Sequence, residues 1–170
     1  GAFFEALCLA QLYKLPCIFI CENNYYAMGT SLERQSAITD LHRRADGVGM
    51  KNEQIEGFDV EVVRQKVAEA RAYARSGQGP VLLEVITYRH RGHSMSDPAK
   101  YRPDGELEEK KASDPLLITQ TRLMEDFGMS GDEIDALNKE VDAVAKESYT
   151  FAEQSPEPDP RTIYDFVYAD

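Results

Sequence analysis

Two short apolar runs, each followed by a long polar loop, place the strongest constraint on how this chain can fold. The first run covers residues 16–21 and leads into two adjacent asparagines, Asn23 and Asn24; the second covers residues 81–86. Runs of this length and composition predict strands that are buried on both faces, as in a parallel sheet covered by helices. Such sheets bind ligands just beyond the carboxyl ends of their strands, so each loop is a candidate part of a binding site.

The segments around these runs alternate between helical and extended patterns. The predicted elements are a helix over residues 2–13, the strand 16–21, a loop from Asn23 to about Gln54, a short extended piece near Ile55, a helix capped by Asp59, and the strand 81–86. Alternation of helices and strands is typical of an α/β fold. The sequence therefore predicts an open, doubly wound parallel sheet.

Beyond residue 105 the sequence becomes helical and acidic. The predicted elements there are a helix from Pro115 to about Phe127, a helix from a capping box of Ser130 and Glu133 to about Gln154, an extended spacer over residues 155–160, and a short apolar piece over residues 162–169. We predict that residues 1–105 belong to an α/β ligand-binding domain. Residues 106–170 are then the helical region and tail of the same domain.

Composition excludes several classes of protein. The net charge is −11, and residues 104–170 carry 18 acidic and 6 basic residues, which argues against nucleic-acid binding. No apolar run approaches the roughly 20 residues that cross a bilayer, which argues against a membrane protein. The three cysteines, Cys8, Cys17 and Cys21, lie in apolar segments without metal-ligand spacing, so a reducing compartment fits best.

The first loop offers neutral oxygen atoms. Asn24 has a side-chain carbonyl oxygen, and the turn after it, residues 25–29, can direct a backbone carbonyl oxygen to the same point. Neutral oxygens alone bind Mg²⁺ poorly, and a diphosphate normally shares the metal with at least one carboxylate, which this turn lacks. The simpler interpretation is an ordinary turn, because asparagine tolerates left-handed backbone conformations and bonds to its own backbone.

The second loop brings cationic and titratable side chains to the end of the second strand. These side chains are Arg89, His90, Arg91 and His93. Their charge suits an anionic, phosphorylated ligand, and an imidazole suits proton transfer. Any one of them alone is more typical of a solvated surface, so the prediction of a site depends on both loops following buried strands.

Two stretches of the chain resemble one enzyme family. EALCLAQLYKLPCIFICENNYYAMGTS and TYRHRGHSMSDPAKYR are similar to the alpha subunits of the pyruvate dehydrogenase decarboxylating component, a thiamine diphosphate enzyme. The resemblance covers essentially the whole chain and corresponds to the C-terminal half of such a subunit, so we expect further residues upstream of Gly1. It implies that residues 1–105 are the C-terminal half of a thiamine diphosphate- and Mg²⁺-binding α/β domain. Relatives that act on branched-chain 2-oxo acids or acetoin differ around SMSDP. Those substrates are one alternative, and a non-catalytic α/β binding module is another.

The resemblance implies roles for individual residues. Asn24 would bind Mg²⁺ through its side chain, and Tyr26 would bind the same ion through its backbone carbonyl. A Gly-Asp-Gly motif upstream of Gly1 would supply the missing carboxylate. His93 would be the active-site histidine, close to the cofactor diphosphate and the substrate channel.

The resemblance also concerns regulation. Arg89 and residues 94–102 would form an ordered loop that lines the channel, and Ser94 matches the position at which animal relatives are switched off by phosphorylation. The chain has Arg91 where some relatives have histidine, and near Lys100 it lacks an additional serine of the animal forms. This favours an unregulated bacterial-type enzyme, in which Ser94 is simply a hydrogen-bonding loop residue.

The implied reaction is the oxidative decarboxylation of pyruvate on thiamine diphosphate, with transfer of the two-carbon unit to a lipoyl group of an acyltransferase partner. The whole complex would yield acetyl-CoA and CO₂. The implied assembly is an α2β2 heterotetramer, in which a beta subunit supplies the glutamate that activates the cofactor. This chain alone should therefore be inactive. Its expected location is the bacterial cytoplasm, or the mitochondrial matrix in a eukaryote.

Overall fold

The computed structural model describes residues 1–167, which form two compact units that divide after residue 122. The strands are β1 (Ile18–Asn23), β2 (Tyr26–Ala27), β3 (Thr30–Ser31), β4 (Lys51–Glu56) and β5 (Val81–Ile86). The α-helices are α1 (Ala2–Leu12), α2 (Leu32–Gln35), α3 (Val60–Tyr73), α4 (Glu106–Lys111), α5 (Pro115–Glu125) and α6 (Gly131–Gln154). Two 3₁₀ helices cover Leu41–Val48 and Pro160–Tyr164, and a π-helical turn covers Ala74–Gln78.

A parallel sheet forms the centre of the first unit, with its three strands in the order β1-β5-β4. Ile18 pairs with Val81 at one end of the β1-β5 ladder, and Asn23 pairs with Ile86 at the other. The predicted α/β class with a parallel sheet is confirmed. Because neighbouring parallel strands end at the same edge of the sheet, the loops after β1 and β5 start side by side.

Helices cover both faces of this sheet. On one face, Ala70 of α3 lies in a buried cluster with Val81 and Leu83. On the other face, Leu7 of α1 lies in a second buried cluster with Leu82. Successive side chains of β5 therefore enter different cores, as expected for a strand covered on both sides. The doubly wound arrangement is confirmed.

The two predicted strands differ in burial. In β5, every residue except the last is buried, as predicted. In β1, Ile20 remains 54% exposed, because β5 is the only strand that pairs with β1 among the described residues. The prediction that β1 is buried on both faces is therefore wrong for this structure.

The boundaries of β1 also differ from the prediction, by two residues at each end. Pro16 lies in a turn rather than in the strand, since the N–H of Cys17 donates to the carbonyl oxygen of Leu15 (2.8 Å). At the other end, Asn23 still pairs with β5. Asn23 therefore belongs to the sheet, and Asn24 is the first residue beyond it.

The segment predicted as a single loop from Asn23 to about Gln54 holds several short elements instead. It contains the β2–β3 hairpin, α2, a 3₁₀ helix and most of β4. The sequence of β4 is KNEQIE, and Ile55 is its only buried residue. An edge strand needs few apolar positions, so the composition of β4 does not reveal it.

In the helical part of the chain, the predicted helix from Pro115 is confirmed as α5, whereas the short polar helix α4 was not predicted. None of the helices within residues 1–167 combines the length and the apolar composition needed to cross a membrane. The proposed division of one domain after residue 105 stays a prediction.

The second unit contains α6, whose predicted capping box is confirmed. Ser130 Oγ accepts the N–H of Glu133 (3.3 Å), and the N–H of Ser130 donates to Glu133 Oε2 (2.8 Å). The helix ends at Gln154, as predicted. The apolar piece predicted over residues 162–169 begins inside the second 3₁₀ helix, and its residues 168 and 169 lie outside the described part of the chain.

Candidate functional site

Two asparagine-based turns follow β1. Asn23 Oδ1 accepts the N–H of Tyr25 (3.0 Å), and Asn24 Oδ1 accepts the N–H of Tyr26 (3.0 Å). Tyr25 has a φ of 65°, a left-handed conformation that is unfavourable for a bulky residue. Such strain persists only where the surroundings impose it, and it is concentrated at functional sites.

The β2–β3 hairpin sets the direction of the Tyr26 backbone. The N–H of Leu32 donates to the carbonyl oxygen of Tyr25 (2.7 Å), so Tyr26 occupies the next, non-hydrogen-bonded position, opposite Ser31. At such a position, both backbone groups point away from the partner strand. Because the N–H of Tyr26 points to Asn24 Oδ1, the carbonyl oxygen of Tyr26 lies on the same side of the hairpin as the Asn24 side chain.

Asp97 organises the loop after β5. Its Oδ2 accepts the N–H of His93 (2.7 Å) and the hydroxyl of Tyr101 (2.8 Å), and its Oδ1 accepts the N–H of Ala99 (2.8 Å). These donors, with His93 the strongest, lower the pKa of Asp97. Gly92 lies against the carbonyl oxygen of Asp97, where a Cβ atom would overlap that oxygen. Asp97 therefore fixes the backbone of the Gly-His-Ser segment.

Replacing Asp97 with asparagine should loosen this loop. A single amide oxygen cannot accept from all three donors, so His93 or Ala99 loses its backbone partner. We expect hydrogen exchange of at least one of those two amides at pH 7 to accelerate about tenfold, as measured by mass spectrometry or NMR. The matched control is Asp104→Asn, at an exposed carboxyl of the same loop, which should leave the exchange unchanged.

The pH dependence of this loop has a definite sign. Because the folded-state pKa of Asp97 lies below the ordinary 3.8, its stabilisation is complete above that value and is lost as the pH falls through the folded pKa. The two amides should therefore stay protected at neutral pH and lose protection only in strong acid. Equal exchange in Asp97→Asn and the unsubstituted protein at pH 7 would contradict the role given to this carboxylate.

Arg102 closes the same loop from its other end. Its guanidinium donates to the carbonyl oxygens of three consecutive residues, Arg89, His90 and Arg91. It also lies 5.1 Å from the centre of the Tyr88 ring, within the range of a cation–π contact. One cation therefore fixes the backbone path of the cationic segment after β5.

The loops after β1 and β5 contact each other directly. Arg89 Nη2 donates to the carbonyl oxygen of Met28 (2.6 Å) and to the hydroxyl of Tyr101 (3.0 Å). The rings of Tyr26 and Tyr101 lie 5.4 Å apart. Gly29 lies against the Tyr101 ring, where a Cβ atom would be only 2.8 Å from the ring carbon Cδ1. The structure thus brings the two loops together at the carboxyl ends of β1 and β5.

A cavity of about 370 Å³ lies beside this junction, and Tyr26, Tyr101 and Glu106 are among its lining residues. The hydroxyl of Tyr26 donates to Glu106 Oε2 (2.7 Å). Burial, together with this hydrogen bond, raises the pKa of Tyr26 to about 12. The hydroxyl of Tyr26 therefore stays protonated at pH 7. Its contact with Glu106 is separate from the contact that the Tyr26 backbone makes with Asn24.

His93 and Ser94 are exposed residues of the loop after β5. His93 is held through its backbone N–H, and no hydrogen bond to its imidazole is found within residues 1–167. Ser94 Oγ lies 3.3 Å from Ser96 Oγ. Both side chains thus extend from an ordered backbone, and their roles in the reaction stay predictions.

Comparison with known proteins identifies the family. The sequence profile described as "Dehydrogenase E1 component" matches residues 1–161. The chain belongs to the dehydrogenase E1 component family. Members of this E1 family depend on thiamine diphosphate.

Several curated relatives of this E1 chain are named pyruvate dehydrogenase E1 component subunit alpha. The relative from Rhizobium meliloti is 44% identical over 165 residues, which are 96% of this chain and 47% of the relative. The relative from Rickettsia conorii is 40% identical over 168 residues, 99% of this chain and 52% of the relative. The human somatic, mitochondrial form is 44% identical over 161 residues, 93% of this chain and 40% of the relative. The chain thus spans about half the length of the relatives that it matches.

The oxygens that this E1 chain offers to a metal ion at the end of β1 are neutral. Asn24 Oδ1 keeps a second lone pair besides the one used by the N–H of Tyr26, and the carbonyl oxygen of Tyr26 lies on the same side. Mg²⁺ accepts such ligands together with carboxylate and phosphate oxygens. Within residues 1–167, no group of three or more His, Cys, Asp or Glu side chains could hold a metal ion. The donors therefore fit one part of a magnesium–diphosphate site.

The loop after β5 carries polar atoms that suit an anionic ligand. Among the described residues, His90 Nε2 and Arg102 Nε are buried and have no hydrogen-bond partner. Buried polar atoms are normally paired, so these positions favour a bound water molecule or ligand. Arg89 and Arg91 add positive charge to the same segment, as a diphosphate requires.

Sequence reasoning did not single out Asp97 and Arg102, which organise the loop after β5, or Glu84, which lies fully buried in β5. Glu84 had a usable signal, since it is the only charged residue of the apolar run VLLEVI, and a buried carboxylate requires hydrogen-bond partners. Asp97 and Arg102 had no such signal, because acidic and basic residues are common in exposed loops.

Proposed function

We propose that this chain is the C-terminal half of the alpha subunit of a pyruvate dehydrogenase E1 component. The subunit binds thiamine diphosphate and Mg²⁺, decarboxylates pyruvate, and passes the two-carbon unit to the lipoyl group of an acyltransferase partner. It works together with a beta subunit in an α2β2 heterotetramer. This heterotetramer is here called the assembled enzyme. Its proposed location is the bacterial cytoplasm. The names of the relatives support this assignment.

The meeting of the two loops carries the proposal. Asn24 and Tyr26 present neutral oxygens on one side of the first loop, and Arg89 ties the cationic second loop to that hairpin through Met28. Oxygen ligands for a divalent cation thus lie beside positive charge suited to a diphosphate. Thiamine diphosphate supplies the electron sink for decarboxylation when it is bound.

Each proposed site residue has a separate role. Asn24, through its side chain, and Tyr26, through its backbone, hold the metal ion of the cofactor. His93 lies beside the diphosphate and the substrate, where an imidazole can donate or accept a proton near neutral pH. Arg89 holds the loop that lines the channel, and Ser94 follows His93 directly in that loop.

A substrate comparison tests this function. We expect the assembled enzyme to decarboxylate pyruvate with a kcat/KM at least about tenfold higher than that for a branched-chain 2-oxo acid, since a pocket that excludes added methylene groups discriminates by about this factor. Acetoin should not be a substrate. The measurement is the rate at which each substrate's acyl group is transferred to a free lipoyl domain.

Two outcomes would contradict the proposal. Preference for a branched-chain 2-oxo acid or for acetoin would keep the enzyme class and overturn the substrate. Failure of the assembled enzyme to bind thiamine diphosphate in the presence of Mg²⁺ would favour a non-catalytic binding module instead.

A further inference from the structure

A carboxylate lies fully buried in the middle of the sheet. Glu84 belongs to the central strand β5 and has 0% exposure. Its cross-strand neighbours are Cys21 of β1 and Gln54 of β4. Glutamate is almost never fully buried unless it is paired, because removing its charge from water is costly. A carboxylate buried at such a cost in free energy calls for an explanation.

All the hydrogen bonds to this carboxylate come from neutral donors. Oε1 accepts Asn23 Nδ2 (2.6 Å), while Oε2 accepts the backbone N–H of His42 (2.9 Å) and Gln54 Nε2 (3.3 Å). No ion pair within residues 1–167 includes Glu84. Glu84 therefore connects the end of β1, the first 3₁₀ helix and β4 by hydrogen bonds alone.

One of these partners leads directly to the candidate metal ligands. The buried amide of Asn23 donates to Glu84 through Nδ2 and accepts the N–H of Tyr25 through Oδ1. A rotated amide would place a donor against the N–H of Tyr25, so Glu84 fixes which way the amide of Asn23 points. The amide in turn holds Tyr25 in its left-handed conformation between Asn24 and Tyr26.

We propose that Glu84 is a positioning residue for the metal-binding turn, acting through Asn23 to fix the Asn24 side chain and the Tyr26 carbonyl. This inference rests on the proposed function, since it concerns the magnesium–diphosphate site.

The test uses Glu84→Gln in the assembled enzyme, titrated with thiamine diphosphate at fixed Mg²⁺. Glu84 Oε2 accepts two donors, one of them a backbone N–H that cannot be reversed, so the oxygen of the new amide should keep that side. Its amino group then faces Asn23 Nδ2, and the connection to the turn is broken. We expect the affinity to fall about 10- to 100-fold, as for other groups that orient a metal ligand. In the double variant Glu84→Gln with Asn23→Asp, the new amide at position 84 donates to the new carboxylate at position 23. The connection is then restored, and most of the affinity should return.

Two further variants separate positioning from general stability. Asn23→Ala breaks the same connection from its other end and should lose affinity to a similar extent, which keeps the test decisive if Glu84→Gln does not fold. Leu83→Ala enlarges a cavity on the opposite face of β5, so it should lower the free energy of unfolding without a matching loss of affinity. Unfolding by denaturant is measured on each variant without cofactor.

The outcomes distinguish this inference from the proposed function. If Asn24→Ala weakens cofactor binding but Glu84→Gln binds like the unsubstituted enzyme, the positioning role is wrong and the proposed site stands. If Leu83→Ala loses as much affinity as Glu84→Gln, the effect is one of stability and the positioning role is again wrong. If Asn24→Ala also binds normally, the proposed site itself is wrong.

Discussion

Replacing Ser94 with glutamate should lower the turnover of the assembled enzyme with pyruvate by about 100-fold or more, since small displacements of a catalytic loop have effects of this size. Ser94 directly follows His93, whose backbone N–H donates to Asp97. A glutamate at this position adds a negative charge beside the Asp97 carboxylate and beside the proposed anionic diphosphate. Repulsion should therefore disorder the loop, as a phosphate would. The measurement is steady-state turnover with saturating cofactor.

Two control variants separate charge at this position from other effects. Ser94→Ala removes only a weak contact with Ser96 and should keep most of the activity. Ser76→Glu introduces the same charge at an exposed serine that precedes β5. This serine lies towards the amino ends of the strands, whereas the candidate site lies at their carboxyl ends, so turnover should stay unchanged. Turnover of Ser94→Glu equal to that of the unsubstituted enzyme would show that this loop does not border the active site. The role proposed for His93 would then be wrong as well.

The second large effect is expected from Asn24→Ala. Groups that merely orient a metal ligand change metal affinity about 10- to 100-fold, so loss of a ligand itself should weaken Mg²⁺-dependent binding of thiamine diphosphate by at least about 100-fold. The substitution also removes the acceptor of the Tyr26 N–H, which frees the carbonyl of Tyr26 to turn away. Calorimetric titration of the assembled enzyme with thiamine diphosphate at several Mg²⁺ concentrations measures this loss.

Tyr26→Phe is the matched control for this titration. It removes the hydroxyl that donates to Glu106 but keeps the backbone carbonyl proposed as a ligand. We expect only a small change in affinity for this variant. Equal losses in Asn24→Ala and Tyr26→Phe would contradict the assignment of these two ligands.

Features that depend on local sequence could be predicted. The capping box of Ser130 and Glu133 and the start of α5 at Pro115 are encoded within a few residues, and the structure contains both. The strand β5 was also predictable, since a continuous apolar run suits a central parallel strand. Each loop was also predicted to form part of a binding site because it follows a buried strand, and the structure adds that β1 and β5 are neighbours.

Features that depend on distant partners could not be predicted in this way. The strand β4 reads as polar loop sequence, and only its pairing with β5 makes it a strand. The burial of β1 was overestimated, since the apolar run does not reveal that its only strand neighbour in the described chain is β5. The left-handed conformation of Tyr25 is likewise imposed by Asn23 and Leu32 rather than by its own preference.

The candidate site follows the same division. Asn24, Tyr26 and His93 could be named because they follow strand ends and match family motifs. The residues that hold them, Glu84 and Asp97, act through hydrogen bonds that only the folded chain creates. Sequence reasoning thus found the groups that are proposed to contact a ligand and missed the residues that hold them.

The most direct test of the proposed site is the structure of the assembled enzyme with thiamine diphosphate and Mg²⁺ bound. We predict that Asn24 Oδ1 and the carbonyl oxygen of Tyr26 both lie about 2.0–2.1 Å from the ion, as octahedral magnesium requires. A magnesium ion that binds the cofactor without either of these oxygens would contradict the proposal that this chain holds the cofactor at the end of β1.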